Sequence, residues 1–183
     1  MKQRAVLRPY LNGIETIHSS IRYADDMVVF LKPKDNAEEV LAKIIAFLAE
    51  RGMEISKEKT KLTPSTQGFD FLGWHFKVQK NRKFRCVPSE ENFKAFRDKV
   101  KFIVNNSSYG AEVKAAKLAP IVRGWRNYHR YCKMDGSRFS LWFTANRAFK
   151  VFLKQPSINK DKAETLVKQA FPTVPYSENK HVN

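Results

Sequence analysis

The chain has 183 residues, 43% of them apolar and 13% aromatic, which suits a folded protein with a real core and excludes a disordered, low-complexity one. Its formal net charge is +16, and no apolar run approaches the roughly 18–20 residues of a membrane-spanning helix. The excess is local: residues 77–154 hold 19 Lys and Arg against 5 Asp and Glu, the pattern of a polyanion-binding surface rather than of a solubility charge.

In chain order, Ile21 to Phe30 (IRYADDMVVF) sets two adjacent carboxylates, Asp25 and Asp26, between apolar, strand-forming runs. That pattern predicts a β-hairpin with acids at its tip. A rigid carboxylate pair is what Mg²⁺ shared with phosphates requires; a turn that merely contains Asp-Asp is the plain alternative. Residues 35–52 predict an amphipathic helix, with Asp35 and Glu38 as a capping pair and Gly52 at its end. Its apolar face is Val40, Leu41, Ile44, Phe47 and Leu48. A Lys-rich turn follows at 57–61. The aromatic run 68–76 predicts a strand, in which Gly73 marks a bulge or a close backbone approach.

The basic block predicts three helices. Ser89 caps the first, which runs to about Asn105 with Phe93, Phe96, Val100 and Ile103 inside. Pro120 fits the first turn of the second, which runs to about Tyr131. On it Ile121, Trp125, Tyr128 and Cys132 form a buried stripe, and Gly124 permits close helix approach. Arg123, Arg126 and Arg130 form another face, able to fork phosphate oxygens along an RNA backbone. The third helix, about Ser137 to Lys154, puts Leu141, Trp142, Ala145, Phe149 and Phe152 inside. A short helix over 159–171 and a polar, Pro-containing end follow. His18, His75, His129 and His181 read as ordinary surface or partly buried residues. Cys86 and Cys132 stand apart without zinc-site spacing, and with no apolar leader segment they fit an intracellular, cytoplasmic setting.

In order and spacing, the Tyr23-Ala24-Asp25-Asp26 hairpin, Gly52 with Lys57-Glu58-Lys59-Thr60, and Phe71-Leu72-Gly73-Trp74 resemble the later palm motifs of group II intron reverse transcriptases. Residues 118–131 (LAPIVRGWRNYHRY) resemble the signature of the same family's maturase domain, domain X. The resemblance covers about residues 21–180. It implies an α+β fold: a partial polymerase palm of hairpin, sheet and helix over 1–84, then an all-α thumb and maturase unit over 85–156. A short helix and linker tail would occupy 157–183. It further implies that Asp25 and Asp26 are catalytic and hold Mg²⁺, with Asp25 the direct contact. Lys59 matches a basic position near the incoming nucleotide, and Phe71, Leu72 and Gly73 match the primer grip. Core packing is the plain alternative for the side chains of Phe71, Leu72 and Trp74, and a solvated turn lysine for Lys59. Arg123, Arg126, Tyr128 and Arg130 form the expected RNA-binding set. The implied partners are group II intron RNA and a primer–template duplex.

The family's third metal carboxylate and its fingers belong N-terminal to the acidic hairpin. There Met1 to Ser20 offer a single acid, Glu15. The expectation is therefore a C-terminal half without fingers or endonuclease, which binds intron RNA, assists splicing and does not polymerise alone. Two alternatives stand beside it. One is an active reverse transcriptase completed by a separate N-terminal polymerase chain that carries the fingers and the missing palm Asp. The other is a non-functional remnant of a fragmented gene.

Overall fold

The apolar runs on either side of Tyr23-Ala24-Asp25-Asp26 fold as the expected hairpin. Strand β1 (Ser19–Tyr23) pairs antiparallel with β2 (Asp26–Phe30), placing Tyr23 opposite Asp26. These facts come from a computed structural model that describes residues 19–56, 58–132 and 139–176. The chain divides into two compact units, residues 1–64 and 65–183. Glu15, His18, Lys57, Ser137 and His181 lie outside the described residues.

In the first unit the helix is α1 (Ala37–Ala49). Its cap is Asn36, not Asp35: the Asn36 Oδ1 accepts from the Glu38 N–H at 3.1 Å, and its Nδ2 donates to Glu39 at 3.1 Å. Asp35 is used one step earlier, where its carboxylate accepts from the Lys32 N–H and closes a turn. At the other end Met53 N–H reaches Leu48 O and Gly52 N–H reaches Ala49 O, both at 3.0 Å. Gly52 sits at φ +66°, so the paired bonds and left-handed glycine form a Schellman stop, as its position predicts. Val40, Ile44, Phe47 and Leu48 are half-buried and Leu41 is exposed.

The second unit opens with a sheet that departs from the single strand expected over 68–76. Strand β3 (Phe69–Phe71) turns at Leu72-Gly73 into β4 (Trp74–Val78), and β5 (Phe84–Pro88), which the sequence reading did not place, completes the order β3-β4-β5. Leu72 and Gly73 both have positive φ, +51° and +75°. A two-residue loop of that hand matches the twist of the strands it joins.

Among the described residues four helices follow. Ser89 caps α2 (Glu90–Asn105) as expected, its Oγ accepting from Asn92 N–H at 3.2 Å. The second, α3 (Ala111–Tyr128), begins nine residues before Pro120 and encloses it. Pro120 has no N–H for the Ala116 carbonyl, but the run AEVKAAKLA before it is rich in strong helix formers, whose propensity outweighs one lost bond. The third, α4 (Trp142–Leu153), starts later than expected, and α5 (Lys160–Ala170) is capped by Asn159. The shared core takes Phe96, Val100 and Ile103 from α2, Ala115, Leu118 and Val122 from α3, Ala148 and Phe152 from α4, and Ala163, Leu166 and Ala170 from α5. Burying a side chain of the size of Leu118 or Phe152 contributes about 1.5–3 kcal/mol. The buried face of α3 is thus centred on Leu118 and Val122, with Ile121 and Trp125 only half-buried and Tyr128 exposed. Trp142, expected inside, is 62% exposed. A Cβ on Gly124 would meet nothing within 4 Å, so close helix approach is not what that glycine serves. Among the described residues no helix is long and apolar enough to cross a membrane.

Candidate nucleic-acid and polymerase site

The hairpin tip is two residues long. Ala24 takes φ +49°, and the Arg22 Nε donates to the Ala24 carbonyl at 2.8 Å, bracing the turn from its own strand. Asp25 lies in the turn and Asp26 opens β2; both are exposed. Consecutive exposed carboxylates offer the hard oxygens that Mg²⁺ takes, so the donor chemistry fits that ion. Among the described residues no group of three or more His, Cys, Asp or Glu is arranged to hold a metal. Lys59 is exposed in a turn whose N–H groups, its own and that of Thr60, fold back onto Ser56 O. No ion pair joins it to either carboxylate among the described residues.

In the second unit the Phe71-Leu72-Gly73-Trp74 turn is held from behind by two helices. The Tyr128 hydroxyl donates to Leu72 O at 2.6 Å, and the Ser89 N–H donates to Gly73 O at 2.9 Å. Asn92 closes the gap between them. A Cβ on Gly73 would lie 2.8 Å from the Asn92 Nδ2, so the close backbone approach expected at Gly73 is real, and its partner is a helix side chain. The Asn92 Oδ1 accepts from the Trp125 Nε1 at 3.0 Å. An indole N–H only donates, which fixes the amide orientation. The His129 Nε2 lies 3.1 Å from the same oxygen and therefore carries the ring proton.

His129 is a departure from the surface or partly buried residue expected, because it is fully buried. It sits edge-on to Trp74 at 4.5 Å, with Trp125 and Tyr128 rings at 4.8 and 4.9 Å. Its Nδ1 is buried with no hydrogen-bond partner among the described residues, and burial pushes the ring's pKa down to about 4. The ring is thus neutral, a donor to Asn92 and otherwise a flat spacer. Trp125 stacks on Phe96 at 4.3 Å and 14°, so packing rather than base stacking accounts for it.

The expected RNA-binding set is brought together at the end of α3. Arg123 and Arg126 are on the helix, Arg123 exposed and Arg126 half-buried. The helix ends at Tyr128, so Arg130 stands in the following turn, over the Tyr131 ring at 5.1 Å. Tyr128 keeps half its surface exposed while its hydroxyl reaches Leu72, linking this set to the Phe71–Gly73 turn. Asp25, Asp26 and Lys59 belong to the other unit. Sequence reasoning missed Asn92 and the role of His129. The available signal was the Trp125/His129 pair at i, i+4, whose ring N–H groups need an acceptor once buried.

Comparison with known proteins finds two successive matches, the first of which runs past residue 64 into the sheet of the second unit. Residues 4–76 match the family model for reverse transcriptase (RNA-dependent DNA polymerase), and residues 93–167 match the group II intron, maturase-specific domain. The chain is 38% identical over 185 residues to maturase-like protein 1 of Euglena gracilis, covering 97% of this chain and 40% of that protein. To maturase-like protein 1 of Euglena longa it is 39% identical over 168 residues, covering 91% of this chain and 37% of that one. A putative COX1/OXI3 intron 2 protein of Saccharomyces cerevisiae is 33% identical over 89 residues, 46% of this chain and 10% of its own length. The chain therefore spans about 40% of the length of the Euglena relatives it matches. With an acidic palm-type hairpin, a Phe-Leu-Gly turn and a basic helical unit in that order, the chain belongs to the group II intron reverse transcriptase/maturase family.

Proposed function

We propose that this chain binds group II intron RNA through the surface carrying Arg123, Arg126, Tyr128 and Arg130, and so assists folding and splicing of that RNA. The observation that carries this reading is a coincidence: the maturase-specific match over 93–167 falls on the charge block of 77–154. The helices there pack their main apolar faces against one another, and Arg123 and Arg130 stay exposed while Lys114 is buried and Arg126 half-buried. The test is binding to a group II intron RNA and to an unrelated structured RNA across a salt series. Six to ten phosphate contacts predict a fall in affinity of about 10³–10⁵ between 50 and 200 mM salt. Replacing Arg123 and Arg130 together by Gln is expected to flatten the log–log slope by about 1.5–2. Equal affinity for the two RNAs sinks the splicing part of the proposal.

A second reading is favoured by the first unit. None of its described residues is buried, and Ile21, Met27, Phe30 and Ile45 remain exposed. A polymerase segment or chain carrying fingers and a further palm Asp would cover that apolar surface and add a third carboxylate. Asp25 and Asp26 would then hold Mg²⁺, which supplies charge stabilisation to phosphoryl transfer on a primer–template. With Asp25 and Asp26 as the carboxylate pair among the described residues, the chain alone is expected to incorporate no nucleotide. Mixed with such a fragment, it should support synthesis that Asp25→Ala abolishes; nucleotide incorporation by the purified chain alone refutes the need for a partner.

A further inference from the structure

Trp142 and Phe143 are adjacent large aromatics that the helical core leaves outside, 62% and 76% exposed. Their rings meet edge-on at 4.9 Å at the start of α4. Downstream, Phe143, Arg147, Lys150 and Lys154 recur at spacings of four, three and four, which keeps them within one narrow band of the helix surface. All four are exposed. The 12 residues of α4 contain no Asp or Glu to neutralise that band. Arg147 is held in place by a hydrogen bond to Asn105 Oδ1 on α2 at 3.2 Å. The band is about 16 Å long at roughly 1.5 Å per residue, with an aromatic platform at one end and three cations along it.

We propose that this band is a second nucleic-acid site, which takes an unpaired, single-stranded segment by stacking a base on Trp142 or Phe143 and laying its phosphates along Arg147, Lys150 and Lys154. The combination is what sequence-tolerant single-strand binding uses: an aromatic face for a base and a cationic track for the backbone. A duplex keeps its bases stacked on one another and offers the platform nothing. An anionic membrane is the other surface that aromatics and cations suit, but a helix lying in a membrane must present its apolar face to the lipid. In α4 that face, Ala148 and Phe152, is spent in the core. The proposal rests on the nucleic-acid reading of the basic unit, yet on side chains distinct from the α3 set, so the two fail separately.

The test uses the full chain and two labelled RNAs, an unstructured hexanucleotide and a blunt-ended duplex stem, with binding read by fluorescence anisotropy. Trp142→Ala with Phe143→Ala removes exposed rings, and an unchanged melting transition checks the fold. Affinity for the hexanucleotide is expected to fall about tenfold or more, with duplex affinity kept within about twofold. Lys150→Gln with Lys154→Gln should weaken the hexanucleotide and lessen its salt dependence. The Arg123→Gln, Arg130→Gln chain should retain the hexanucleotide difference between platform-intact and platform-deleted forms even where it loses intron RNA. Equal losses for hexanucleotide and duplex, or no loss for either, overturn the stacking platform. So does loss of binding to phosphatidylserine-containing vesicles with the hexanucleotide unaffected, which would assign the band to a membrane.

Discussion

Replacing Asn92 by Leu strips the acceptor from two donors, the Trp125 indole and the buried His129 ring. Each orphaned donor costs about 1–3 kcal/mol, so a loss of roughly 2–5 kcal/mol should appear as a lower urea midpoint. Gly73→Ala should also destabilise, because it combines a left-handed backbone with a Cβ 2.8 Å from Asn92. His129 makes a pH prediction whose sign is fixed by its depressed pKa of about 4 against an ordinary 6.5. Above about pH 6.5 the ring is neutral folded and unfolded, and stability is undiminished. As the pH falls towards 4 the unfolded chain takes the proton and the folded one refuses it. Stability then drops by about 1.4 kcal/mol per unit, about 3 kcal/mol in all, and levels off below 4. Denaturant midpoints between pH 7 and pH 4 measure this, and His129→Phe should flatten that part of the curve. At this scale the acidic hairpin was legible, since Asp25 and Asp26 stand at the turn between two strands, whereas the Leu72-Gly73 turn was not, because the aromatic run around it reads as one strand. Asn92 was not, because nothing in a lone polar residue beside Phe93 says which ring N–H groups will converge on it.

Helix α3 carries two residues that work against it. Pro120 is exposed inside the helix and leaves the Ala116 carbonyl without its N–H. Gly124 is exposed with open space where a Cβ would stand. Pro120→Ala is expected to stabilise by about 1–3 kcal/mol and Gly124→Ala by about 1 kcal/mol, both read as raised denaturation midpoints. These two residues also explain where the reading of the helix failed. A proline reads as a start signal and so masks the nine helical residues before it, and the stripe of Ile121, Trp125 and Tyr128 lies one step round the helix from the buried Leu118 and Val122. By contrast, α2 was legible because cap and stripe agree: Ser89 and the Phe93, Phe96, Val100, Ile103 spacing point to the same boundaries. Strand β5 was hidden by its composition, since FRCVP is too short and too mixed to show a period of two.

Across the whole molecule the two units differ in how much they bury. The core residues cluster in α2 to α5, whereas residues 19–56 and 58–64 contain none that is buried. Amide exchange should therefore show strong protection in α2–α5 and fast exchange in α1 and the acidic hairpin, through local openings of low free energy. Addition of an N-terminal polymerase fragment should slow exchange in the hairpin if the second functional reading holds, and leave it unchanged if it does not. The α+β class and the order of parts were legible because motif order survives whatever the packing. The participation of α5 in the central core was not, because Ala163, Leu166 and Ala170 are too small and too few to distinguish a core helix from a surface one.

The bond from Tyr128 to the Leu72 carbonyl spans 56 positions along the chain. Closing so long a loop costs entropy that local contacts do not repay, so such contacts form after the helices they depend on. The Leu72-Gly73 turn can pair its two strands early, but it reaches its final setting only when the end of α3 arrives. During synthesis the turn leaves the ribosome some fifty residues ahead of its anchor, and in refolding its last movement should report on α3 rather than on the sheet. Tyr128→Phe should leave the early phase of refolding untouched and remove that late step.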